Sequence, residues 1–221
     1  IFLKLRAISE DIARFLISAA MKKTVASAKL YGNKQNFPIV ITGEHGTGKQ
    51  LMAQSMHSFF RSDSGDYVSV NCAAILDHET ARFFYDSQDG KPFKKENCAI
   101  DLSAVGTLVL ENIWEASEKM QASLLWMACG KSDRVYVNQK SKQLKTAVIT
   151  IIPSDKWELC MKNVRFDLLQ RLQTFILTIP PLRERREDIP ALFFRYLYGI
   201  IDYNRSDLGK DNVLLPILTG Y

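Results

Sequence analysis

The stretch TGEHGTGKQL, residues 42–51, constrains this chain more than any other. It follows an apolar run, FPIVIT (37–42), and opens a segment with Leu51, Met52, Met56, Phe59 and Phe60 spaced as one helical face. Gly43, Gly46 and Gly48 permit a tight turn whose backbone N–H groups converge on one point. The helix that follows aims its positive end at the same point, and Lys49 adds a mobile cation. A glycine-rich turn with a chance lysine is the bland alternative. The strand before and the helix after are the context that the phosphate-binding pattern G-x-x-x-x-G-K requires, and they favour an anion cradle. One position departs: Gln50 stands where the general pattern has the Ser or Thr that touches Mg²⁺.

Four more short runs read as buried strands: YVSVN (67–71), GTLVLEN (106–112), AVITII (147–152) and FILTI (175–179). Helical patterns lie between most of them, one carrying Met120, Leu124 and Met127 before a stop at Gly130. Strands alternating with helices predict a parallel sheet covered on both faces. Upstream, Ile8, Ile12, Phe15, Leu16 and Ala19 have helical spacing, with Ser9 as candidate N-cap, and Val25 and Leu30 carry the pattern on to YGNK. Beyond IPPLRERREDIP (179–190) the pattern turns helical, in ALFFRYLYGIID and NVLLPILTGY.

Composition excludes some classes. No apolar stretch approaches the roughly 20 residues of a membrane span, and the four cysteines include no C-x-x-C pair. Buried reduced thiols in a cytoplasmic protein are the expectation. A net charge of +5 permits a polyanion partner without demanding one. The charge run LRERRED (182–188) reads as a solvated face. A first residue of Ile rather than Met points to a region of a longer chain.

The loop GEHGTGKQ resembles the G-E-S-G-T-G-K-E loop of the sigma-54-dependent transcription activators, bacterial enhancer-binding proteins of the AAA+ class. Further landmarks follow in order. YVSVNCAAI (67–75) is similar to their F-x-x-V-N-C-A-A-I, GTLVLEN to G-T-L-F-L-D-E, and QASLLWMA (121–128) to Q-A-x-L-L-R-x-L. VRFDLLQRL (164–172) is similar to F-R-x-D-L-Y-Y-R-L, and IPPLRERREDIP is nearly the family consensus.

The resemblance runs from about residue 38 to 198 and implies an α/β fold, a three-layer P-loop AAA+ core with a five-stranded parallel sheet. A small helical lid begins after it. The expected organisation is a helix or linker over 1–35, the nucleotide-binding core over 36–183 and an incomplete lid over 184–221. The family assembles as rings with ATP between neighbours. By position, Gly43, Glu44, His45, Gly46, Thr47, Gly48, Lys49, Gln50 and Leu51 would hold ATP or ADP, and Glu111 would face Mg²⁺. Asn71 would be the polar partner of the catalytic acid. Arg165 and Arg171 would reach a neighbour's site as arginine fingers, which in other NTPases are worth about 10³ to 10⁵ in rate. Spacing alone would make both surface ion pairs.

Four departures follow from the same comparison. Glu111 stands where the family has Asp, and Asn112 where it has the catalytic Glu; loss of a general base costs about 10² to 10⁴ in rate. No G-A-F-T-G-A, the family's sigma-contacting signature, occurs between 76 and 105. The strand end that carries a polar sensor in the family has Ile152 and Pro153. The W-P-G-N-V-R-E-L stretch and a helix-turn-helix are absent, so DNA contact would need other domains. The expectation is the nucleotide-binding domain of a bacterial transcription regulator, such as a response regulator, with weak or no hydrolysis and no sigma-54 remodelling. It would form homo-oligomers, from dimer to hexameric ring, with RNA polymerase or a sigma factor as partner and no membrane contact. Two alternatives stand beside it: an ATPase using Glu111 as its acid, and a nucleotide-free oligomerisation scaffold.

Overall fold

A computed structural model of the chain describes residues 18–32, 37–60, 65–75, 105–128, 135–137, 140–142, 146–193 and 196–197. Five parallel strands form its centre: β1 (Ile39–Gly43), β2 (Asp66–Asn71), β3 (Val105–Glu111), β6 (Ala147–Pro153) and β7 (Phe175–Thr178). Their spatial order is β2-β3-β6-β1-β7. Two three-residue strands, β4 (Val135–Val137) and β5 (Lys140–Lys142), pair antiparallel in a separate ribbon. The five expected strands are these five, displaced by a residue or two at their ends. They were legible because a parallel sheet is buried on both faces and so reads as unbroken apolar runs. In β3, all six residues from Val105 to Leu110 are buried.

The alternation of side chains along each strand sorts the core into two halves. Ile39, Ile41, Val109, Ile149 and Ile151 point to one face, where α1 (Ala19–Gly32) and α2 (Lys49–Phe60) cover them. Val40, Leu108, Leu110 and Ile152 point to the other, under α3 (Glu118–Ala128), α4 (Trp157–Asn163) and α5 (Phe166–Leu172). Each fully buried aliphatic side chain contributes about 1.5–3 kcal/mol, so both helical layers are held mainly by this apolar area.

Three expectations shift. The buried face of α2 is Met52, Ala53, Met56 and His57, while Phe59 is 43% exposed and Leu51 half-buried. His57 is accepted inside because its Nδ1 lies 3.0 Å from the hydroxyl of buried Thr107 and its ring meets Tyr67 edge-on. The run 182–188 is not wholly a solvated face: Arg185 and Asp188 are buried, and only their neighbours face water. Finally, α1 starts at Ala19 with Ser18 as its cap, the Ser18 hydroxyl accepting from Met21 N at 3.2 Å. Of the helical pattern expected over 8–19, the part up to residue 17 lies outside the described residues, as does the segment of the absent G-A-F-T-G-A signature (76–104). So do Met127's side chain, Gly130 and most of the expected lid.

Candidate functional site

Parallel strands end on the same edge, and the expected site residues collect there. Gly43, Asn71, Glu111 and Pro153 close β1, β2, β3 and β6. Across that edge, Gly43 pairs with Pro153 and Asn71 with Glu111.

The loop between β1 and α2 is fixed by its own hydrogen bonds. Lys49 Nζ donates to Gly43 O at 3.0 Å and Glu44 O at 2.7 Å, and the Thr47 hydroxyl donates to Glu44 O at 2.8 Å. A side chain at Gly43 would strike Ile179 O at 2.7 Å, and Gly48 has φ +94, so both positions need glycine. Burial pushes the Lys49 ammonium below its usual range, against the opposing charge of Asp155. His45, at the exposed tip, pairs with Asp155 at 3.3 Å.

The end of the chain's family-like stretch holds this loop from behind. Arg183 forms a two-pronged ion pair with Glu44, at 2.7 and 2.5 Å, which keeps the Glu44 carboxyl below the usual carboxylate range. Arg185 Nη2 donates to Thr47 O at 2.8 Å. Because the C=O and the next N–H of a peptide plane point opposite ways, this grip turns Gly48 N–H away from Arg185. Asp188 accepts from both Ser18 N and Ser18 Oγ at 2.8 Å, tying α1 to the same strap. Ser18, Arg183, Arg185 and Asp188 were not singled out from sequence. Their one signal was the acid-interrupted run itself, whose internal alternation of buried and exposed residues has no fixed period.

At the far side of the edge, Glu111 and Asn112 have distinct surroundings. Glu111 Oε2 accepts from Gln50 Nε2 at 2.9 Å and Oε1 accepts from Ser69 Oγ at 2.6 Å. Ser69, two residues before Asn71, projects from the same face of β2, a period-two signal that sequence reading passed over. Asn112 sits in the left-handed region, φ 53 and ψ 40. Its Nδ2 donates to Asn71 Oδ1 at 2.9 Å, and that oxygen also accepts from Ala73 N. The two asparagines thus face each other where the family resemblance places an acid and its polar partner.

Arg165 caps the start of α5, Arg171 sits in its last turn, and both are exposed. Arg165 grips Asp167 with Nε at 3.1 Å and Nη2 at 2.8 Å. Its backbone N donates to Gln121 Oε1, and Gln121 Nε2 donates to Ala116 O and Asn163 O. Buried Gln121 therefore pins the start of α5 to α3 and α4. Leu51, the last loop residue expected to bind, is half-buried in α2.

Residues 15–178 match the sequence profile described as the Sigma-54 interaction domain. The chain belongs to that family. This Sigma-54 interaction domain is 30% identical over 210 residues to a Nif-specific regulatory protein of Rhizobium leguminosarum bv. trifolii, covering 91% of this chain and 58% of that protein. It is 34% identical over 186 residues to a signal-transduction and transcriptional-control protein of Clostridium beijerinckii, covering 81% and 29%. The chain thus spans less than two thirds of these curated relatives. Among solved structures, NtrX of Brucella abortus in complex with ADP superimposes with TM-score 0.60 at 25% identity, over 79% of this chain and 39% of that one. NtrX in complex with ATP superimposes with TM-score 0.64 at 24% identity, over 83% and 42%, and supports the same α/β fold.

Proposed function

We propose that this Sigma-54 interaction domain binds ATP or ADP on residues 43–51, hydrolyses it weakly or not at all, and does not remodel a sigma-54 polymerase. It would serve a bacterial transcription regulator through assembly with copies of itself, with RNA polymerase or a sigma factor as a further partner. The observation that carries this reading is the Asn112–Asn71 amide pair. An amide neither takes a proton from water nor orients it as a carboxylate does. The loop, by contrast, keeps its glycines, its lysine and its brace. The ADP complex of NtrX supports the nucleotide as ligand, and a groove of about 540 Å³ between α1, the loop and β7 has room for a nucleoside. Exposed Arg165 and Arg171 suit reaching toward a second copy.

In the reading in which Glu111 replaces the missing acid, Gln50 and Ser69 each occupy one lone pair of its oxygens, and an attacking water would have to share the carboxylate with them. Calorimetry and steady-state phosphate release test the proposal together. ATP at about 100 times its dissociation constant should stabilise the fold by about 2.7 kcal/mol. Turnover at about 1 s⁻¹ or faster, the ordinary enzyme range, would overturn the weak-hydrolysis part. Absence of binding at millimolar ATP would leave only the scaffold.

A further inference from the structure

Mg²⁺ beside a nucleotide takes oxygen ligands in near-ideal octahedral geometry, from one or two carboxylates, phosphates and water, with the hydroxyl after the loop lysine as a usual contributor. The residues here supply only the lower end of that set. Gln50 has neither the hydroxyl of the general pattern nor the carboxylate of the G-E-S-G-T-G-K-E loop. Of the strand-end residues Gly43, Asn71, Glu111 and Pro153, Glu111 alone carries a carboxylate, and Asn112 beyond it is an amide. The decisive contact is Gln50 Nε2 to Glu111 Oε2 at 2.9 Å. It aims the positive end of an N–H at the oxygen a cation would use, while Ser69 Oγ holds the other oxygen at 2.6 Å.

We infer that the Gln50 amide stands in the place of the divalent cation, so that this domain holds nucleotide without Mg²⁺. The inference rests on the nucleotide-binding reading above. Positive potential at the phosphates then comes from Lys49, the loop N–H groups and the α2 N-terminus. Gln50 and Ser69 satisfy the Glu111 carboxylate inside the protein. That carboxylate is then a net repulsion toward a triphosphate, with no ion between the two. In a metal-bridged site the sign is opposite, because the carboxylate holds the ion that holds the nucleotide.

Isothermal calorimetry of the 221-residue chain with ATP, in excess MgCl₂ and again in excess EDTA, reads the difference. The expected result is a dissociation constant that agrees within about threefold between the two buffers, and an ATP affinity that rises in Glu111→Gln. Weakening by about tenfold in EDTA, a step of about 1.4 kcal/mol, or weakened binding by Glu111→Gln in MgCl₂, would overturn the inference while leaving nucleotide binding intact. No binding in either buffer would instead remove the reading on which it rests. Melting curves without ATP check that Glu111→Gln is folded.

Discussion

Asn112 is the residue at which backbone and chemistry agree. Its left-handed φ of 53 suits Asn better than most side chains, and its amide gives Asn71 a donor. Asn112→Glu should therefore lower stability by about 1 kcal/mol, since left-handed backbone costs an ordinary L-residue about 1–2 kcal/mol. A glutamate also cannot donate to Asn71 Oδ1, so Asn71 would have to turn and give up its bond from Ala73 N. If the missing acid is what limits turnover, phosphate release by this variant rises by up to about 10² to 10⁴. An unchanged rate would place the block elsewhere, with Ile152 and Pro153 the next residues to restore. Lys49→Ala should abolish the ATP-induced rise in melting temperature, because the ammonium is the one mobile cation of the loop.

At the scale of elements, the strap 182–188 and helix α2 carry the instructive contacts. Asp188→Ala removes the acceptor for both Ser18 donors and leaves buried Arg185 without its nearby countercharge. Unfolding in urea should show a loss of about 3 kcal/mol or more. Arg185→Met should behave differently. One Arg185 nitrogen, Nε, has no partner, and Asp188 keeps both Ser18 donors when the guanidinium is removed, so losing this countercharge should destabilise the fold, though by less than Asp188→Ala does. The freed Thr47 carbonyl should also loosen the loop and weaken ATP binding. On α2, burial holds the His57 imidazole below its ordinary value of 6.5. The unfolded chain then binds a proton that the folded chain resists, so stability declines as pH falls through 6.5. His57→Gln, which can still meet Thr107, should flatten that decline in thermal melts. These contacts also mark where sequence stopped being legible. The five strands and the loop announce themselves through burial and glycine spacing, which are local. Arg185 and Asp188 are buried by partners some 140 and 170 positions away, and His57 by a hydroxyl on β3. No periodicity within their own segments encodes such partners.

For the whole molecule, the two arginines of α5 are set apart from the fold's stability. Both are exposed, and among the described residues the Arg165 guanidinium bonds to Asp167, a surface pair, while its backbone N–H to Gln121 does not depend on the side chain. The double variant Arg165→Ala, Arg171→Ala should melt at the temperature of the unaltered chain. If the arginines reach a second copy, its ATP-dependent association, read by sedimentation velocity, should be lost. Association that survives in the double variant would assign them a purely surface role.

The brace on the phosphate loop also sets an order of events during synthesis. Thr47 and Arg185 are 138 residues apart. At about 5–20 residues per second a ribosome takes roughly 7–30 s to travel from one to the other. For that interval the nascent chain carries the loop's glycines and lysine with nothing holding the Thr47 carbonyl. If the strap is what firms the loop, nucleotide should do less for the early part of the chain until the strap emerges. Pulse proteolysis of chains ended at residue 180, with and without ATP, should find less protection by nucleotide than in the full chain. Protection equal to that of the full chain would show that the strap comes too late to matter.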